Sequence, residues 1–439
     1  MAEMIREYLD TVQEQIRWKR ARPVVARELE QHLTDQRDAF LEEGDSPEEA
    51  ERLAVEEMGD PVLVGTELDR VHRPKPQWGS LVVMALSLCV WLALRLYERH
   101  MVSYFTDYIW RFGAIVLLAC TMAAAAYFWD YTRLGRKPML LALTVLCLPV
   151  FEGVLEVTWD YTYHIGAYLA FLTPLALALA IYAMRSRGTG GLAVCCVLGL
   201  LPAAIWASRG RFEMLWPCLI CNTALLAYGQ GRGLFGPQKR NWLLVVGHGL
   251  TVLICILAVM HYTGYLKSYL TPPEWITYYQ DRTRDIVAHA KFLGMAEVLP
   301  EVQEFLRHWL RFSGYEDQLL MLLGNFGWGV FLLAQAPMAV LLGIGWRKCR
   351  KQTAVLGQLV GVSILLTLTW QAVANVLQNF VGVPNLLTEF PYPLLTDGGT
   401  ALVLDCALLG LLLSVFRNGS IVRESAQGQV SERKNFQFP

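Results

Sequence analysis

The sequence predicts an all-α membrane protein in which ten transmembrane helices follow a small cytoplasmic helical domain. Three observations predict it. More than half of the 439 residues (54%) are hydrophobic. Charge is unevenly spread: residues 1–77 hold 19 acidic and 11 basic side chains, a net −8 and 30 of the 77 charged groups in the chain. Beyond residue 77, apolar stretches of bilayer-crossing length recur to residue 417. An acidic leading segment argues against nucleic-acid binding. The N-terminus opens on an amphipathic, charged stretch rather than a basic region and an apolar core, so no signal peptide is expected.

The first 77 residues read as a helical domain with its own caps. Ser46-Pro47-Glu48-Glu49 is a capping box with proline at the first helical position. Gly59-Asp60-Pro61 stops that helix and caps the next. Leu53, Ala54 and Met58, then Val64, Leu68 and Val71, form the faces expected to pack. Arg73-Pro74-Lys75-Pro76 is a stiff linker that places cations at lipid headgroups. Binding or regulation is the expected task of this domain, with a folded assembly aid as the plainer alternative.

The ten spans are read at 78–97, 108–129, 138–159, 166–184, 190–207, 214–230, 241–264, 318–346, 353–381 and 396–416. Basic residues cluster in alternate loops: Arg133, Arg136 and Lys137; Arg185 and Arg187; Arg232, Lys239 and Arg240; Arg347, Lys348, Arg350 and Lys351; and Arg417 after the last span. Loops 160–165 and 382–395 carry no Lys or Arg, whereas 208–213, with Arg209 and Arg211, is an exception. The asymmetry places both termini in the cytoplasm. Residues 418–439 read as a disordered cytoplasmic tail.

A long non-spanning segment, 265–317, separates the seventh and eighth spans on the outer side. Loops of that length between helices tend to carry function. Arg282 and Arg284 follow Tyr278-Tyr279-Gln280 on one short helix and suit a phosphate; snorkelling to headgroups is the alternative. Residues 300–312 are amphipathic, with Val302, Phe305, Leu306, Trp309 and Leu310 on one face, and are expected to lie flat on the outer leaflet. Glu316-Asp317 then opens the eighth span, which runs to Asn325-Phe326-Gly327-Trp328. Two carboxylates at a helix N-terminus are either a reactive group or solvated charges stabilised by the helix dipole.

Near the C-terminus stand Trp370-Gln371-Ala372-Val373-Ala374-Asn375 and then Pro391-Tyr392-Pro393-Leu394-Leu395-Thr396-Asp397-Gly398-Gly399-Thr400-Ala401-Leu402. This passage resembles the last two spans of the SEDS family of shape, elongation, division and sporulation proteins (the FtsW, RodA and SpoVE type), which carries Gln-Ala-Phe-x-Asn and Pro-Leu-Pro-Phe-x-Ser-Tyr-Gly-Gly-Ser-Ser. Asp397 replaces the family's tyrosine and Leu394 its phenylalanine. Tyr279-Gln280 resembles the opening of the family's outer loop. Glu316-Asp317 through Trp328 resembles Asp-Phe-x-Phe…Glu-Glu-x-Gly-Phe, with Gly324-Asn325 in place of the Glu-Glu pair and the 300–312 helix as an insertion. Glu57-Met58-Gly59-Asp60-Pro61 and Val71-His72-Arg73-Pro74-Lys75-Pro76 resemble a prefix domain found ahead of bacterial permeases, sensors and some SEDS proteins.

The resemblance implies a multi-pass protein of the bacterial cell membrane that polymerises lipid II into peptidoglycan at the outer face, in cell division, cell shape or sporulation. It implies Asp317 or Glu316 as the catalytic carboxylate: spacing favours Glu316, residue type Asp317. It implies substrate contacts from Gln280, Arg282, Arg284, Gln371, Asn375, Thr396, Asp397, Gly398 and Gly399, and a class B penicillin-binding protein as partner. No motif calls for a cofactor or metal, and a divalent cation stays open. Two other classes fit the residues. A flippase for a lipid-linked precursor would use the intramembrane carboxylates Glu152, Glu156 and Asp405. A non-catalytic regulator would explain the altered motifs. Cys218 and Cys221 offer only two metal ligands and read, like most of the ten cysteines, as apolar filler. His248 reads as a hydrogen-bonded residue within the bundle.

Overall fold

The structure, a computed structural model, describes residues 3–19, 21–74, 76–100, 106–159, 168–209, 214–306, 318–381, 391–395 and 399–419. Among them the repeating secondary structure is helical throughout, and β-pairing is confined to a bridge between Tyr392 and Leu395. The chain divides into two compact units at Pro76 and Gln77.

In the first unit, α1 (Glu3–Gln15), α2 (Arg22–Glu43), α3 (Pro47–Met58) and α4 (Pro61–His72) enclose a core of Ile5, Leu9, Val12, Ile16, Val25, Leu29 and Leu33. The Glu49 amide donates to Ser46 Oγ at the start of α3, and the Val62 amide to Asp60 at the start of α4. Two buried carboxylates lock the helices together. The Ile5 amide, a first-turn donor with no intrahelical acceptor, donates to Glu51 Oε1 at 3.0 Å. The Arg17 amide donates to Asp69 Oδ1 at 2.9 Å. Here α4 departs from the expected face. Leu68 is buried, but Val71 is 52% exposed, and Gly65, Asp69 and His72 take the inward positions. The cause is close approach: a Cβ on Gly65 would stand 2.7 Å from Gln15 Cβ and 2.9 Å from the Val12 carbonyl. Backbone contact and the Asp69 bond set the rotation of α4, overriding its hydrophobic periodicity.

The second unit is an all-α membrane domain. Gly188–Ser208, Arg240–Tyr262, Trp328–Arg350, Val355–Phe380 and Gly399–Arg417 are long and apolar enough to cross a bilayer. Shorter apolar helices, Trp78–Leu94, Gly113–Phe128, Pro138–Val150 and Ala170–Met184, stand at the first four expected spans. The sixth is assembled from Leu215–Pro217, a π-turn over Cys218–Asn222, and Thr223–Gly231. The ninth and tenth spans are the most buried of the five long ones: 72% and 67% of their apolar windows are buried, against 28–44% in the other three.

The eighth span is not one helix. It divides into Gln318–Phe326 and Trp328–Arg350 at Gly327, whose φ of +84° few L side chains adopt. The expected 300–312 helix is described to Leu306 only. Val302, Phe305 and Leu306 are buried with Ile286 and Leu320, so this part of the apolar face packs on protein rather than on lipid.

Two measurements on the isolated segment 1–76 check this packing. Glu51→Ala strands the buried Ile5 amide and is expected to cost about 1–3 kcal/mol in urea denaturation, while an exposed control, Glu48→Ala, stays near the parent. Burial also pushes the Tyr8 hydroxyl up to about 12 from its ordinary 10. A raised folded value means this contribution is intact below pH 10 and is lost as pH rises toward 12. Tyr8→Phe should flatten that part of the stability–pH curve.

Candidate functional site

The break at Gly327 is built from both sides. Residues 291–296 run alongside it: the Trp328 amide donates to the Lys291 carbonyl (2.9 Å) and the Gly329 amide to the Phe292 carbonyl (2.8 Å). In return the Gly294 amide donates to Phe326 O (3.0 Å) and the Ala296 amide to Gly324 O (2.8 Å). The helix ends freed by the break thus find partners within the protein, as an apolar environment demands. A Cβ on Gly327 would lie 2.5 Å from the Lys291 carbonyl, so only glycine fits. A Cβ on Gly324 would lie 2.5 Å from Leu306 Cδ2. Leu306 thus occupies space that a longer side chain at 324 would enter.

The ninth span presents a polar face in this apolar setting. Gln371, Asn375 and Asn379 lie one turn apart, and all are buried. Asn379 Nδ2 donates to the Asn375 carbonyl at 2.8 Å, and Asn379 Oδ1 accepts the Leu320 amide at 3.0 Å. Leu320 is in the first turn of Gln318–Phe326, so a neighbouring span caps this helix. Glu316 and Asp317, directly before it, lie outside the described residues, as do Thr396, Asp397 and Gly398.

The turn before the tenth span is held from below. Leu394 has a φ of +60°, and its amide donates to Asp405 Oδ2 at 3.2 Å. Asp405 is wholly buried, and the Gln371 side chain lies against its carboxyl. A carboxyl and a carboxamide facing each other in the bundle supply acceptor and donor to one another. At the head of the tenth span, a Cβ on Gly399 would lie 2.8 Å from Ile115 Cδ1.

The outer-loop candidates sit on Glu274–His289. Gln280 is half-buried. Arg282 Nη2 donates to Glu301 Oε2 at 2.9 Å, with its guanidinium 4.8 Å from the centre of the Tyr278 ring. Tyr278 and Glu301 hold its pKa above the ordinary arginine value. Arg282 thus ties the loop helix to Pro300–Glu304. Arg284 is the freer cation, exposed and 3.5 Å from Asp281.

Other sequence candidates fall elsewhere. Cys218 and Cys221 are buried in the π-turn, and no group of three His, Cys, Asp or Glu occurs among the described residues. His248 Nδ1 lies 3.2 Å from Thr223 Oγ1 within the bundle. The side chains of Glu152 and Glu156 lie outside the described residues. Asn379 and Gly327 are the additions that sequence reading missed. The four-residue spacing 371, 375, 379 on an apolar helix was the available signal for Asn379.

No protein-family model matches the sequence, and no curated protein does. Solved structures do. The fold is similar to the rod shape-determining protein RodA of Thermus thermophilus (16% identity, TM-score 0.51, covering 78% of this chain and 97% of that one) and to a point mutant of it (17%, 0.51, 78% and 98%). It is also similar to a chain from a peptidoglycan synthase complex described as coordinating polymerization and crosslinking (16%, 0.53, 78% and 98%). RodA is a SEDS protein, so the membrane domain has a SEDS fold.

Two substitutions test the construction. Gly327→Ala should undock residues 291–296, seen as faster amide exchange there than in the parent. Asn379→Leu leaves the buried Leu320 amide without an acceptor, and a loss of about 1–3 kcal/mol is expected. It should appear as a lower melting temperature in detergent, with Asn379→Asp closer to the parent.

Proposed function

We propose that this chain is a SEDS-type peptidoglycan glycosyltransferase that polymerises lipid II at the outer face of a bacterial membrane. Both termini are then cytoplasmic, and a class B penicillin-binding protein is the expected partner. A carboxylate at the head of the eighth span, Asp317 before Glu316, takes the proton of the acceptor sugar hydroxyl. The hydroxyl oxygen forms the new glycosidic bond as the bond to undecaprenyl pyrophosphate breaks. Arg284, with Gln280, receives the charge of that leaving group. Arg282 holds the loop in place through Glu301.

The observation that carries this reading is the Asn379–Leu320 hydrogen bond within a RodA-like fold. It joins the polar face of Gln371 and Asn375 to the first turn of the helix that Glu316-Asp317 precedes. Fold alone does not assign activity; polar groups converging at one helix mouth support it. A second reading, a non-catalytic regulator, is favoured by Gly324 filling with Leu306 and by Asp397 replacing a tyrosine. The flippase reading draws less support, because Asp405 is engaged in holding the Leu394 turn.

Amide variants separate these readings. Asp317→Asn keeps size and removes the proton acceptor, so lipid II polymerisation should fall by at least ~10²-fold. Glu316→Gln should matter far less. Unchanged polymerisation by both single variants contradicts the enzyme and leaves the regulator.

A further inference from the structure

A second site lies away from these residues, between the loop after the second span and the loop after the fourth. It is a cleft of about 510 Å³ lined by Lys137, Leu140, Tyr182, Met184, Arg185 and Arg187 among others, with no carboxylate in its lining. That volume falls within the roughly 300–1,000 Å³ of small-molecule sites. We propose that this cleft binds the phosphate headgroup of an anionic phospholipid.

The cationic floor is prearranged. Arg185 Nη1 donates to the Tyr182 carbonyl at 2.7 Å, and its guanidinium lies 3.7 Å from the centre of the Tyr182 ring. These contacts fix the plane of the guanidinium while leaving its Nε, which is buried, with no hydrogen-bond acceptor among the described residues. A buried cationic donor without an acceptor is the arrangement that a phosphate oxygen completes. The loop carrying it is also constrained. Ser186 has a φ of +68°, and its amide donates to the Leu234 carbonyl at 2.9 Å. Lys137 and Arg187 are exposed at the rim and form no ion pair among the described residues.

The wall of the cleft favours a lipid over a soluble phosphate. Leu140 is 58% exposed at its edge, and Leu143, Cys147 and Val150 continue from it at helical spacing, all exposed. This stripe runs from the cations along the third span, as an acyl chain would beneath its headgroup. The basic-loop pattern puts the cleft on the side facing the cytoplasm, where anionic lipid is recognised by such pockets.

Native mass spectrometry of the full chain, delipidated and then titrated with phosphatidylglycerol or phosphatidylcholine, tests the site. The double variant Lys137→Gln/Arg187→Gln alters exposed side chains only and so keeps the fold, and Arg185→Gln removes the floor. Both should carry at least ~5-fold fewer phosphatidylglycerol adducts than the parent, with phosphatidylcholine adducts unchanged. Equal phosphatidylglycerol adducts on parent and both variants overturn the site. Inorganic phosphate forms the remaining arm. Thermal stabilisation by phosphate equal to that by phosphatidylglycerol, and lost in the variants, overturns the lipid source in favour of a soluble phosphate; no stabilisation by phosphate supports the lipid.

Discussion

A broken helix in an apolar bundle must find partners for its freed amides and carbonyls, and this constraint organises the membrane domain. Three points meet it with specific bonds. The break at Gly327 pairs with residues 291–296, the Leu320 amide is capped by Asn379, and the Leu394 amide is held by buried Asp405. Water cannot substitute for these partners inside a bilayer. The first two join segments far apart in sequence, so satisfying the backbone also holds residues 291–296 to the eighth span and the eighth span to the ninth. Preorganised polar groups in a dry setting are what transition-state stabilisation requires.

The ninth and tenth spans, the most buried of the five long ones, carry these polar groups. Buried amides and carboxyls weaken a bundle unless paired. Here Asn379 donates to Asn375 and caps Gln318–Phe326 through the Leu320 amide. The Gln371 carboxamide faces the Asp405 carboxyl, donor against acceptor.

Much of this was legible in the sequence, and the gaps have physical causes. Span positions followed from apolar length and basic loops, since both reflect a bilayer that acts on every residue alike. The break at Gly327 was not legible, because one glycine in an apolar run looks like any other until its partners, some 35 residues earlier in the chain, are known to lie alongside. Beside Gly324 stands Leu306, whose side chain a larger residue would have to displace, a contact that the motif comparison could not register. In the first unit, Val64 and Leu68 of α4 face the core as periodicity expects but Val71 does not, because Gly65 packs against α1 and Asp69 accepts the Arg17 amide, which periodicity does not register. Arg282 matched a phosphate ligand by type and position, yet Glu301 already engages it. Glu316, Asp317, Thr396, Asp397 and Gly398 rest on sequence resemblance.

The polar face of the ninth span, the capped helix and the turn on Asp405 together make an enzyme site the central claim. Incubating the purified, unmodified chain with lipid II, alone and with a class B penicillin-binding protein, tests it most directly. Glycan polymer in at least one of the two reactions is the expected result. Lipid II left unpolymerised in both, by protein that remains folded in detergent, would contradict the enzyme and make the chain a SEDS-fold regulator.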